Sequence, residues 1–144
     1  MRAPSFSLRD LDGAARSLDS LLADGPAVLA FFKIDCPTCQ LTFPYLQRMA
    51  DRGQRRIVAI SQDDEEGTRE FHTDFKIRLE TLIDDGGYGV SKAFRITHVP
   101  WLFELSADGE IVSDWAGFDR AKMEALAGGA LFTDADRAPV YKPG

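Results

Sequence analysis

Val28-Leu29-Ala30-Phe31-Phe32 is an unbroken apolar run, with Gly25-Pro26 before it and Lys33 after it. A strand with one wet face alternates apolar and polar residues, so five apolar residues in succession describe a strand covered on both faces, the habit of a parallel sheet layered with helices. Ile57-Val58-Ala59-Ile60 repeats the pattern. Between the two runs, Leu41, Tyr45, Leu46 and Met49 recur at helical spacing and predict a helix from Cys36 to about Asp51. Pro44 lies inside it, frees the carbonyl of Gln40 and predicts a kink. The acidic stretch Asp63-Asp64-Glu65-Glu66 suits the start of another helix, one that buries Phe71 and Phe75. Strand, helix, strand, helix is the grammar of an α/β domain.

The flanks fit around this centre. Phe6, Leu8 and Leu11, ahead of Asp12-Gly13, read as a short edge strand entering a turn, and Leu18, Leu21 and Leu22 as one face of a short helix. After Leu82-Ile83, Asp84-Asp85-Gly86-Gly87 reads as a loop, and Val90, Ala93 and Phe94 suggest a short helix. Trp101-Leu105 and Ile111-Trp115, joined by Ala107-Asp108-Gly109-Glu110, predict a hairpin. A last helix is expected near Asp119 to Ala127. Residues 128–144 carry Pro139 and Pro143 without a clear period and are expected to form an irregular tail. The expectation is one domain over 1–144 with its core at about 26–127. A chain of 144 residues supports it, since this length buries roughly 70% of the surface its unfolded form exposes.

The chain has only two cysteines, Cys36 and Cys39. Three positions apart, they cannot staple distant parts of a fold, so a structural disulfide framework is excluded. Their place is informative: they open a helix at the carboxyl end of a buried strand, where open α/β sheets put their sites. In Cys36-Pro37-Thr38-Cys39 the first cysteine falls at the N-cap and Pro37 in the first turn, where its missing N–H costs nothing. Unpaired N–H groups of Thr38 and Cys39 then face the Cys36 sulfur and, with the helix dipole, favour its thiolate. A thiolate attacks disulfides, and a second thiol one turn deeper releases the mixed disulfide that results. Cys36 is therefore the candidate attacking group and Cys39 the candidate resolving group. Two other readings stand beside this one: half of a zinc site, for which His72 and His98 lack the usual short spacing, and a pair of inert buried cysteines.

The order Phe31-Phe32, Cys36-Pro37-Thr38-Cys39, Pro44 and Val99-Pro100 resembles the thioredoxin superfamily. Ala3-Pro4-Ser5-Phe6-Ser7-Leu8, Leu11-Asp12-Gly13 and Phe43-Pro44-Tyr45-Leu46 are similar to its TlpA-like and redoxin-like branch, over roughly residues 3 to 127. The resemblance implies a thioredoxin fold, a central mixed sheet flanked by helices, here with an N-terminal extension and an inserted helix. It implies a thiol–disulfide oxidoreductase that exchanges or reduces protein disulfides without a cofactor. Pro100 would be cis and face the cysteines, and the Val99 backbone would pair with an extended partner. Substrate contacts are thereby expected at Pro37, Thr38, Val99, Pro100 and Trp101.

Departures from the family pattern carry expectations of their own. Asp35 stands where Trp is common, and its charge would oppose a thiolate at Cys36. Ala30 and Thr42 stand where relatives carry a carboxylate for proton transfer at the second cysteine, with Glu104 or a water as substitutes. Peroxiredoxins share the redoxin-like half, but their Pro-x-x-x-Thr-x-x-Cys motif meets Leu29 and Lys33 before Cys36, and Phe32 and Cys36 before Cys39. A thiol peroxidase and a binding module with idle cysteines are the alternatives. The net charge of −6 argues against nucleic-acid binding, and no apolar run approaches the roughly 18 residues of a membrane span. The expected partners are a disulfide-containing protein and an upstream reductant or oxidant, met by a monomer with no bound metal. With no signal-like stretch behind Arg2, the chain reads as cytoplasmic as written and extracytoplasmic if an export signal has been trimmed.

Overall fold

The computed structural model describes residues 1–144. The apolar run becomes β3 (Ala27–Phe32), and every residue in it is buried. Its neighbour β4 (Ile57–Ser61) runs parallel, with Val28 opposite Ile57 and Phe32 opposite Ser61. On its other side β6 (Trp101–Leu105) runs antiparallel and continues into β7 (Ile111–Ala116). Beyond β4, β5 (Glu80–Ile83) is parallel, and β1 (Ser7–Asp10) and β2 (Ala15–Ser17) close that side antiparallel. The order is β2-β1-β5-β4-β3-β6-β7, a mixed seven-stranded sheet with the run Val28–Phe32 near its middle. The first strand is thus not at the edge; the short β2, which has no apolar pattern to announce it, takes the edge.

Successive side chains of a strand point to opposite faces, and Phe31 and Phe32 show how each face is filled. Phe32 packs against Phe43 of α2 (Pro37–Asp51) at 4.4 Å between ring centroids, and against Phe71 of α3 (Glu65–Phe75) at 4.9 Å. Phe31 goes the other way, to Phe94 just beyond α4 (Gly89–Ala93) at 5.2 Å and to Phe103 at 5.7 Å. All of these rings except Phe71, Phe94 and Phe103 are wholly buried, and those three nearly so. Burial of each such side chain stabilises the fold by roughly 1.5–3 kcal/mol. The same core takes in Leu18, Leu21 and Leu22 around α1 (Leu18–Leu22), Met123 and Leu126 of α5 (Arg120–Ala127), and Leu131 and Phe132. α2 runs without interruption through Pro44 to Asp51.

The segment after Gly128, expected to be irregular, makes one 3-10 turn at Asp134–Asp136 and a short strand, β9 (Tyr141–Lys142). β9 pairs antiparallel with β8 (Phe118–Asp119), separate from the main sheet. Arg48 on α2 holds the turn in place with two bonds to the Asp136 carboxylate, 2.7 and 3.0 Å, and a third to the Leu131 carbonyl. No helix is long and apolar enough to cross a membrane.

Candidate functional site

β3 ends at Phe32, and α2 begins five residues later, so the connecting loop decides where the first cysteine points. Two side chains fix that loop. Asp63, just after β4, accepts from the Ile34 N–H at 2.8 Å, and the Gln40 amide on α2 donates to the Ile34 carbonyl at 3.0 Å. Asp64 rather than Asp63 caps α3, accepting from the Gly67 N–H. The acidic run therefore divides its labour between a helix cap and a tie to the site.

Cys36 is the N-cap of α2, with extended backbone (φ −90°, ψ 113°) and Pro37 at the first helical position. The Cys39 N–H donates to its sulfur at 3.1 Å. The Cys36 thiol is lowered from 9.0 to about 6, first by a hydrogen bond from the Cys39 side chain and then by the backbone N–H groups of Cys39 and Thr38. Partial burial and the Asp35 charge act in the opposite direction and lose. Asp35 is exposed, where water screens it, which is why its opposition is outweighed. Cys39 is wholly inside the core, and burial followed by the neighbouring Cys36 sulfur pushes its thiol strongly upward; a backbone hydrogen bond from Lys33 works against that rise. Both cysteines are free thiols. The pair thus combines a half-exposed sulfur that ionises readily with a hidden sulfur that does not.

Val99 and Pro100 lie across from this helix end. Their peptide bond is cis, and the Val99 carbonyl is 3.6 Å from the Cys36 sulfur, which donates to it when protonated. Beside them opens a cleft of about 560 Å³ lined by Cys36, Pro37, Lys33, Tyr88, His98 and Val99, among others. The Lys33 ammonium lies 5.2 Å from the centre of the Tyr88 ring and 3.5 Å from its hydroxyl. Thr38 is almost fully buried and donates to the Pro143 carbonyl at 2.7 Å. Trp101 is half-buried; its indole N–H donates to Asp114, its ring stacks on Phe103, and it lies 5.2 Å behind His98 of the cleft wall without itself lining the cleft.

The proton-acceptor candidates also find their places. Ala30 and Thr42 are wholly buried, and the Thr42 hydroxyl donates to the Thr38 carbonyl, so neither position offers a carboxylate to Cys39. Glu104 pairs with Arg55, accepts from the Ser113 hydroxyl and sits opposite Val28, at the far end of β3 from the cysteines. Its distance along the strand removes it from the chemistry. Sequence reasoning missed Tyr88 and Gln62 as cleft residues. An aromatic residue directly after Gly86-Gly87, in a loop beyond a strand end, is the one signal that could have pointed to Tyr88.

Residues 1–113 match the AhpC/TSA family. The chain belongs to that family. The methylamine utilization protein MauD of Methylophilus methylotrophus is 25% identical over 126 residues, covering 87% of this chain and 59% of MauD. The chain therefore spans about three-fifths of that curated relative's length. Among solved structures, a secreted Mycobacterium tuberculosis disulfide oxidoreductase homologous to E. coli DsbE superimposes with a TM-score of 0.73 at 22% identity, over 85% of this chain and 94% of that one. The peroxidoxin BcpB of the same organism gives 0.74 at 23% identity, over 89% and 90%. This AhpC/TSA member has the thioredoxin fold that the order of its motifs implied, and it carries a close cysteine pair at the start of the helix following the central strand.

Proposed function

We propose that this protein is a TlpA-like thiol–disulfide oxidoreductase whose redox couple is Cys36 and Cys39. One observation carries the reading: the half-exposed Cys36 sulfur caps the helix start and accepts the Cys39 N–H at 3.1 Å, and its partner sulfur is buried one turn behind it. The Cys36 thiolate attacks one sulfur of a partner's disulfide, forming a mixed disulfide and expelling the partner's other sulfur as a thiolate. Cys39 then gives up its proton to that thiolate or to water and attacks the Cys36 sulfur. The Cys36–Cys39 disulfide forms, the remaining partner sulfur leaves and takes a proton from water, and two electrons have passed to the partner. Run backwards, the same steps oxidise a dithiol. Val99, beside the thiolate, supplies a backbone carbonyl for an extended partner, and Pro37, Thr38 and Pro100 form the rest of its contact surface. Trp101, next in the chain and tied to Asp114, is the remaining contact expected for that partner.

The test is a redox titration with trapping. The pair should titrate against glutathione buffers as one two-electron couple, and Cys39→Ala should accumulate a mixed disulfide with a disulfide substrate such as insulin. If Cys36→Ser retained insulin reduction, or if no Cys36–Cys39 disulfide formed in any buffer, the reading would fall. A second reading, thiol peroxidase, is favoured by the likeness to a peroxidoxin. There the Cys36 thiolate attacks one peroxide oxygen to become a sulfenic acid while the other oxygen leaves as water or an alcohol, and Cys39 condenses with the sulfenic acid, releasing a further water. Peroxide consumption faster than insulin reduction would put this reading first.

A further inference from the structure

The segment Tyr141–Gly144 lies where a partner would have to lie. β9 brings it alongside β8, with Lys142 opposite Phe118, and the Arg120 N–H donates to the Val140 carbonyl at 3.0 Å. From there the chain crosses Gly117, where φ is +83° and a side-chain carbon would stand 2.7 Å from the Lys142 carbonyl oxygen. The Pro143 carbonyl accepts from the hydroxyl of Thr38, one of the two residues between the cysteines, at 2.7 Å. Gly144 then rests directly on the Val99 carbonyl and beside Pro100, so closely that a side-chain carbon pointing that way would collide with that carbonyl. This is the same carbonyl that stands 3.6 Å from the Cys36 sulfur.

We propose that Tyr141–Gly144 is a strap covering the docking edge beside Cys36, so that a protein disulfide binds only when the strap has swung away, while a small disulfide enters from the open cleft. The inference rests on the oxidoreductase reading above. The way the strap is held makes it detachable. Residues 140–144 are all exposed, Val140 and Tyr141 at 77% and 52%, so they add no apolar burial to the core. A two-residue ladder and a few hydrogen bonds retain them, and segments secured in that way open at small free-energy cost. Upstream the chain is firmly fixed, by Phe132 packed 4.7 Å from Tyr45 and by the Arg48–Asp136 pair. Ala138 still packs on the core and its carbonyl accepts from Arg120 at 3.4 Å, so the hinge falls after it, at Pro139 and Val140, where the chain becomes exposed. Closing the strap places a peptide backbone on Val99 and Thr38, the groups an extended partner would use, so strap and partner compete for one surface.

The test compares the full chain with a variant lacking residues 139–144 and with Gly144→Val, whose added side chain meets the Val99 carbonyl. Because Gly144 is exposed, that substitution leaves folding intact even if the deletion does not. A docking surface open only a fraction of the time lowers apparent affinity by that fraction. Both variants should therefore raise kcat/KM for insulin reduction, the deletion by roughly three- to tenfold and the substitution by roughly twofold or more. Exchange with bis(2-hydroxyethyl) disulfide should change by less than about twofold, since a molecule that size does not need the covered edge. A synthetic peptide of the strap sequence, Ala-Pro-Val-Tyr-Lys-Pro-Gly, should inhibit the deletion variant toward insulin. Unchanged or lower kcat/KM for insulin in both variants, with small-disulfide exchange intact, would overturn the strap alone. No exchange with either disulfide by any form would sink the oxidoreductase reading and the strap with it.

Discussion

Alkylation of Cys36 by iodoacetamide, followed from about pH 5 to about pH 10 beside free cysteine, should trace two curves that cross. With the thiol at about 6 instead of 9.0, Cys36 is roughly 90% thiolate at neutral pH against about 1% for an unassisted thiol. That ~90-fold excess of nucleophile is not all gained, because a less basic thiolate is a poorer nucleophile. A Brønsted slope of about 0.4–0.5 over the same difference removes roughly 16- to 30-fold. The net advantage at neutral pH is only about three- to sixfold. At about pH 5 the ionisation ratio approaches ~900 and the advantage grows to roughly 30- to 60-fold. Near pH 10 both sulfurs are ionised, and Cys36 should be slower than free cysteine by an order of magnitude or more. The curves cross at about pH 7.5–8. Restricted access scales every Cys36 rate alike, so it moves the crossing and leaves the midpoint of the profile near 6. Cys39, hidden and with its thiol raised, stays unlabelled throughout. A Cys36 profile parallel to free cysteine, with its midpoint near 9, would refute the claim that the helix start generates the anion.

Asp35→Asn should move that midpoint below the wild-type value, because Asp35 is among the groups that raise the Cys36 thiol; an upward move would show that the loop geometry, not the charge, governs it. Cys39→Ala removes the largest stabiliser of the thiolate but keeps the Thr38 and position-39 N–H groups, so the midpoint should rise above 6 and stop short of 9.0, read by the same alkylation profile. Phe32→Ala opens a cavity between Phe43 and Phe71 and should cost about 3–5 kcal/mol in urea denaturation; a loss under about 1 kcal/mol would mean that α2 and α3 collapse onto the gap. The Asp136 carboxylate is held well below its ordinary range, first by Arg48 and then by the Thr133 N–H. A depressed acid stabilises above its unfolded value, about 3.9, and loses that contribution as pH falls below it. Amide protection around the 3-10 turn should therefore fade with acidification in the wild type, and should already be weak at neutral pH in Arg48→Met.

Elements that owe their existence to local pattern were the legible ones. β3 and β4 announce themselves by uninterrupted apolar residues, α2 by its periodicity, and the cysteine cap by Pro37 and its place after a strand. β5 carries no strand signal of its own, because Glu80 and Thr81 dilute its apolar residues, and it is made a strand by pairing with β4 and β1. The two residues of β9 have no period at all, and the bond from Thr38 to Pro143 joins positions 105 apart, beyond any spacing rule. Asp84 read as part of a polar loop, yet it is buried and accepts from the Val90 and Ser91 N–H groups and the Ser91 hydroxyl, a destination visible only once α4 is in place. The effect of Asp35 was legible in sign but not in weight, since weighing it needs the number of donors around the sulfur.

Only one of the two sulfurs can be touched from outside, and under the proposed couple this gives every disulfide formed there a built-in expiry. A partner joined to Cys36 through sulfur has beneath it a second thiol that no visitor can reach. The adduct's lifetime is then decided inside the molecule, by how quickly Cys39 sheds its proton in a dry core, and not by the supply of a third molecule.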